Sequence, residues 1–273
     1  MYLVTGCNGQ LGSELRKILP DAIFADRHDL DITDADAVNR FVHDHGIDTI
    51  INCAAYTAVD RAESDVEMAK KVNVDGPHNL ARAAKKIIHI STDYVFDGLG
   101  HRPYTPDDTP CPTSVYGQTK WDGERAVLDH AECAIIIRTA WLYSIHGNNF
   151  VKTMRKLGAE KESIGVVSDQ VGTPTAASDL AAAIVKIIPQ MNKSNRGIYH
   201  YTNAGVCSWY DLAVAVMDMS GLMCDVQPIT TAQYPTPAAR PAYSVLDKTK
   251  IIQTFGVIVP HWQRSLEKCL KQF

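Results

Sequence analysis

Tyr2-Leu-Val-Thr-Gly6-Cys-Asn-Gly9-Gln-Leu-Gly12 opens the chain, and its reading decides the fold. Tyr2–Thr5 is a short apolar run that ends at a glycine, so it reads as a buried strand. Leu11, Leu15, Ile18 and Leu19 recur at helical spacing until Pro20, so a helix comes directly after it. Between the two, Gly6, Gly9 and Gly12 form a turn that lets the backbone approach a pyrophosphate. The helix N-terminus behind it offers free N–H groups and a partial positive charge. The first glycine interval is one residue longer than a Gly-x-Gly turn.

The same alternation continues. Ala22–Ala25 reads as a second strand, closed by Asp26-Arg27. Thr33 or Asp34 caps a helix carrying Val38, Phe41 and Val42, with Gly46 as its stop. Thr49–Asn52 and Ile87–Ile90 are further strands, separated by a helical stretch from about Val66 to Ala84 that Gly76-Pro77 should kink. Only Lys85-Lys86 separates that helix from the next strand. Either the helix ends early, near Arg82, or loop residues are lacking. Proline-rich sequence then precedes a helix from about Ser114 to His130, and Ala134–Arg138 is a fifth strand. Strands alternating with helices predict an α/β fold, a Rossmann-type doubly wound parallel sheet. Beyond it come a helix near 149–157, a strand at Ile164–Val167, a helix at 178–188 and a strand at Gly197–Tyr201. A helix capped by Ser208, a strand at Val226–Ile229 and a helix from Trp262 complete the chain. We expect a dinucleotide-binding domain at 1–144 plus about 171–200. A smaller mixed α/β substrate domain takes about 145–170 plus 201–273.

Composition narrows the function. At 45% hydrophobic and 21% charged, the 273 residues are ordinary for a globular protein, and a net charge of −4 lacks the basic stripe of a nucleic-acid binder. Seven scattered cysteines, odd in number and without a CxxC pair, fit reduced thiols in the cytoplasm. The chain enters its first strand without a leader-like segment, and no apolar run is long enough to span a bilayer.

The chemistry rests on three positions. Tyr116-Gly-Gln-Thr-Lys120 puts a phenol and an ammonium on one helical face. Thr92 lies in Ser91-Thr-Asp-Tyr-Val-Phe-Asp-Gly98, where the fourth strand enters a loop. Thr92 and Tyr116 would hold a carbonyl oxygen, Tyr116 would protonate it as hydride arrives, and Lys120 would favour the phenolate and bond the nicotinamide ribose. YxxxK alone is weak; its order after the glycine turn and the Ser-Thr pair carries the reading. Asp26, about twenty residues past the glycines, suits a ribose hydroxyl, and Arg27 suits a 2′-phosphate, so NADH or NADPH would serve.

These motifs, with Asn52-Cys-Ala-Ala-Tyr-Thr57, Arg138-Thr-Ala-Trp141, Asn148-Asn-Phe-Val151, Asp169-Gln-Val-Gly-Thr-Pro-Thr175 and Arg240-Pro-Ala-Tyr-Ser244, resemble the dTDP-4-dehydrorhamnose reductases, extended short-chain dehydrogenases. The resemblance covers nearly the whole chain. It implies reduction of the 4-keto group of dTDP-4-dehydro-L-rhamnose for surface polysaccharide synthesis. It places Gly9, Gln10 and Leu11 at the pyrophosphate, Asp26 at the ribose, Asp31 and Ile32 by the adenine, and Ala55, Tyr56 and Thr57 along the cofactor. Thr92, Asp93 and Trp141 would contact the sugar. We add Arg240 for the substrate pyrophosphate, because a guanidinium forks onto phosphate oxygens. Some members of the family form magnesium-linked dimers through carboxylates. Glu14 and Glu267 are candidates here, but no compact carboxylate cluster is visible, the ten histidines lack ligand spacing, and no metal site is assigned. Monomer and homodimer both stay open. So do a reductase or epimerase of another nucleotide sugar, and a non-catalytic dinucleotide-binding subunit resembling the regulatory subunit of methionine adenosyltransferase.

Overall fold

A computed structural model describes residues 1–273. Its main sheet contains β1 (Tyr2–Thr5), β2 (Ile23–Ala25), β3 (Thr49–Asn52), β4 (Lys86–Thr92), β5 (Cys133–Thr139) and a sixth strand, Gly197–His200. They run in the order 197–200, β5, β4, β3, β1, β2, and every pairing is parallel. The strands are near-continuous apolar runs because both faces are covered. Val4, Ile51, Ile88, Ile135 and Ile137 point into one layer, with α1 (Gln10–Ile18) and Leu180 and Ile184 of the helix Ala177–Ile187. Their neighbours Leu3, Ile50, Ile87, Ala134 and Ile136 point into the other. That layer holds α2 (Ala35–Asp44), Leu80 and Val127. The order reverses between β1 and β3, and ligands of such sheets sit beyond the strand ends at that reversal.

The long helix expected at 66–84 is broken. After α3 (Val59–Ala62) come α4 (Val66–Lys70), a π-helical turn over Lys71–Asp75, and α5 (Gly76–Ala83). Pro77 has no N–H to offer the Asn73 carbonyl one turn back. That carbonyl instead faces Gly123 of α6 (Val115–His130), where a β-carbon would lie 2.0 Å from it. A glycine is therefore what lets the two helices touch. The helix before β4 ends at Ala83, and two residues suffice for the connection: Ala84 turns extended while its N–H still bonds the Leu80 carbonyl.

A second core gathers Tyr143, Val151, Val166, Leu212, Val226 and Leu266. Here the strands Ser163–Val167 and Asp225–Ile229 pair in parallel, and Ser208 caps the helix Trp209–Ser220 by accepting from the Asp211 N–H at 3.0 Å. Ile251 and Phe255, on the helix Thr249–Phe255, pack back into the main core.

One buried ion pair ties α6 to the sheet. Arg138 on β5 donates to Glu124 from Nε at 2.8 Å and from Nη2 at 2.7 Å, with both side chains 1% exposed. Ser91 on β4 donates to the same carboxylate. Arg138→Met strands the Glu124 charge in the interior and is expected to cost about 3–5 kcal/mol of stability, most of it recovered in Glu124→Leu/Arg138→Met. Urea denaturation of the two variants checks this, and a single variant as stable as the parent would contradict it.

Candidate active site

A cavity of about 1050 Å³ lies over the C-terminal ends of β1, β3, β4 and β5. Gly6, Gly9, Gln10, Leu11 and Gly12 form its floor at the start of α1. Gly6 has φ +65°, and a β-carbon there would lie 2.6 Å from the Ala54 nitrogen, so only glycine lets the loops after β1 and β3 part this closely. No side chain caps α1, which leaves its first N–H groups facing the cavity. The Gln10 side chain is occupied elsewhere: its Nε2 donates to the Leu142 carbonyl at 3.3 Å and its oxygen accepts from Asn149 at 2.9 Å. It therefore ties the glycine turn to the 142–149 segment.

Asp26, Arg27, Asp31 and Ile32 line one end. Asp26 accepts from the His28 N–H at 2.7 Å and from Asn8, and the His28 N–H holds its carboxyl below the usual carboxylate range. Asp31 accepts from the N–H and hydroxyl of Thr33, which lower it likewise. Arg27 has no carboxylate within ion-pair distance. Ala55, Tyr56 and Thr57 form the wall after β3. Asn73, fully buried in the π turn, holds that wall. Its oxygen accepts from the Tyr56 N–H at 2.8 Å, while its nitrogen donates to the Tyr56 carbonyl and the Thr119 hydroxyl, each at 3.1 Å. An asparagine on the apolar face of a proline-broken helix was the available signal for it.

Thr92, Asp93, Tyr116, Lys120 and Trp141 meet at the other end. Burial pushes the Tyr116 hydroxyl up to about 12, with the facing Thr92 hydroxyl opposing. Lys120 does not bond Tyr116. Its Nζ donates to the Ile90 carbonyl at 2.6 Å and meets His89 Nε2 at 3.4 Å, and burial brings it down to about 8. The expected pull of Lys120 on the phenol is not seen here: desolvation dominates, and the Thr92 hydroxyl alone opposes it. Asp93 is 3% exposed; one oxygen accepts from Thr92 at 3.0 Å and the other has no partner. Trp141 has φ +50°, and its ring stacks on Trp209 at 3.6 Å and 13°. Trp209 also lines the cavity and comes directly after the Ser208 cap; its capped-helix position alone pointed only to packing.

Arg240 is not brought to the wall. It donates to Asp60 at 2.7 Å and to the Ala238 carbonyl at 3.1 Å. Glu14 pairs with Lys17, and Glu267 with Lys271. No group of three or more His, Cys, Asp or Glu side chains is arranged to hold a metal ion.

Burial pushes the Asp93 carboxyl up to about 7 from an ordinary 3.8. A raised folded-state pKa favours the fold most below the unfolded value, and that contribution is lost as pH rises through about 7. Asp93→Asn should therefore be the more stable form above pH 7, by about 4 kcal/mol at most, with the gap closing toward pH 4. Thermal melts across that range would refute this by showing a pH-independent difference.

The model of the family described as RmlD substrate binding domain matches residues 1–273. The dTDP-4-dehydrorhamnose reductase of Aggregatibacter actinomycetemcomitans is 43% identical, over 97% of this chain and 96% of its own. SpsK of Bacillus subtilis, a spore coat polysaccharide biosynthesis protein, is 39% identical over 99% and 96%. The crystal structure of the Bacillus anthracis dTDP-4-dehydrorhamnose reductase in complex with NADP superposes with a TM-score of 0.95. It is 38% identical and covers 100% of this chain and 99% of its own. No helix is long and apolar enough to cross a membrane. With a family model spanning its whole length and reductase relatives near 40% identity, the chain belongs to the dTDP-4-dehydrorhamnose reductases, a family of NAD(P)H-dependent oxidoreductases.

Proposed function

We propose that this enzyme reduces the 4-keto group of dTDP-4-dehydro-L-rhamnose to give dTDP-L-rhamnose, with Thr92, Tyr116 and Lys120 as its catalytic residues. One observation carries the reading: these three side chains share a single cavity with an uncapped helix N-terminus and its glycine turn. The bound nicotinamide supplies the hydride. The chain's own part is to place the ketone and move one proton. Tyr116 donates its hydroxyl proton to the substrate oxygen, and Thr92 donates a hydrogen bond to the same atom as charge builds there. Lys120 bonds the nicotinamide ribose and, as an ammonium, stabilises the phenolate that remains. Gly9, Gln10 and Leu11 meet the pyrophosphate through backbone N–H groups. Ala55, Tyr56 and Thr57 flank the cofactor, and Asp31 and Ile32 border the adenine. The unpartnered Asp93 oxygen and the Trp141 ring suit a sugar, whose hydroxyls need an acceptor and whose C–H face needs an apolar plate.

Asp26 bonds the adenine ribose, and unpaired Arg27 takes a 2′-phosphate, so NADPH is the favoured cofactor and NADH an accepted one. Arg240 reaches a substrate phosphate only by releasing Asp60. Residues 1–144 with about 171–200 hold the dinucleotide, and about 145–170 with 201–273 hold the sugar nucleotide, apart from the helix Thr249–Phe255, which packs on the main core. The enzyme works in the cytoplasm as a monomer or homodimer.

Turnover followed by nicotinamide absorbance with dTDP-4-dehydro-L-rhamnose tests the reading. Tyr116→Phe is expected to bind NADPH normally and lose about 10²–10⁴-fold in kcat; full activity in that variant would sink the mechanism. Arg27→Ala should raise the NADPH KM by about tenfold or more and leave the NADH KM unchanged, and equal effects on both would remove Arg27 from the 2′-phosphate.

A further inference from the structure

Beneath the catalytic helix runs a buried polar chain that joins three strands. Asn52 at the end of β3 and His89 on β4 are both 0% exposed, and neither lines the cavity. The Asn52 oxygen accepts from the Thr5 hydroxyl at 2.7 Å and from the Ala54 N–H at 3.1 Å. The Ala54 group can only donate, so the orientation of the Asn52 amide is settled and its NH₂ faces His89 Nδ1 at 3.0 Å. His89 Nδ1 must therefore accept. Burial, and then the Lys120 charge, keep this imidazole well below 6.5 and hence neutral. A neutral ring with an accepting Nδ1 carries its proton on Nε2. That N–H points at Lys120 Nζ, 3.4 Å away. An ammonium has no lone pair to receive it, whereas a neutral amine does.

We propose that Asn52 and His89 set the charge of Lys120, by fixing the histidine tautomer so that an N–H opposes the ammonium. His89 is thus a positioning residue that acts on the reaction through Lys120. The other titratable groups around the lysine are Glu124, one turn on along α6, and Cys53, after β3; both favour the ammonium, against the burial that disfavours it. Tyr116 lies one turn back on the same helix. The opposing N–H adds to the burial, so Lys120 titrates within the working pH range and not well above it. This inference rests on the role given to Lys120 above.

The test is the pH profile of kcat for ketosugar reduction. In the parent enzyme, activity is expected to fall above about pH 8 as Lys120 loses its proton. His89→Gln can turn its amide oxygen to the ammonium. Asn52→Asp makes His89 Nδ1 donate, so that Nε2 accepts from Lys120. Each should move the alkaline limb up by about one pH unit, a roughly tenfold gain in relative rate beyond it. Limbs unmoved in both folded variants would overturn the proposal. Long-range nitrogen–proton NMR of the histidine-labelled parent keeps it testable should the variants not fold. The two fully buried histidines should stay neutral at pH 5. One is His89, protonated on Nε2, and the other is His200, whose Nδ1 faces the Tyr104 carbonyl at 3.0 Å. Both protonated on Nδ1 would refute it. Lys120→Met separates the two readings. Full activity there would sink the role of Lys120 itself. Loss of activity there, with unmoved limbs in the other two variants, would sink only the role of Asn52 and His89.

Discussion

The placement of α6 is the constraint on which the site depends, and the Glu124–Arg138 pair supplies it. A bidentate guanidinium–carboxylate contact is directional, so it sets the height and rotation of the helix against β4 and β5 more narrowly than apolar packing could. Lys120 and Tyr116 lie one and two turns upstream of Glu124. A rotation of α6 would carry both away from Thr92, which is fixed on β4 by its own strand pairing. Burying two charges is costly, and the Ser91 hydroxyl meets part of that cost.

Around this anchor, most of the site is made of short polar ties between elements far apart in sequence. Asn73 joins the loop after β3 to α6, Gln10 joins the glycine turn to the 142–149 segment, and Asn52 joins β1 and β3 to His89. Each is a buried or half-buried amide with both ends used. An amide can donate and accept at once, so it can bridge two backbones without bringing a net charge into a low-dielectric interior. The charged groups at the cavity's reactive end behave differently. Desolvation raises Asp93 and Tyr116 and lowers Lys120, which brings the aspartate and the lysine toward neutrality near physiological pH.

The fold was largely legible in the chain. Paired apolar residues such as Leu3-Val4, Ile50-Ile51 and Ile87-Ile88 mark strands covered on both faces, and the three glycines after the first strand mark the βα turn of a dinucleotide-binding unit. The helical stretch at 66–84 and its break at Gly76-Pro77 were legible, but the π turn was not, because the cause is a carbonyl freed by Pro77 meeting a glycine on another helix. Gly6, Asp26, Thr92, Tyr116 and Trp141 all reach the cavity their motifs suggested. Arg240 turns to Asp60, a choice set by α3, 180 residues upstream.

The sequence by itself determined the parallel α/β sheet, the glycine turn and the kind of residues brought to one end of the cavity. These come from local patterns: alternation, helical spacing and glycines at a strand end. Only the tertiary structure decided the charge and contacts of those residues. It brought Lys120 to His89 and the Ile90 carbonyl and not to Tyr116, left one Asp93 oxygen without a partner, and stacked Trp141 on Trp209. A side chain's ionisation depends on the water it loses and on the dipoles it meets. Both are set by elements that adjoin only once the chain has folded.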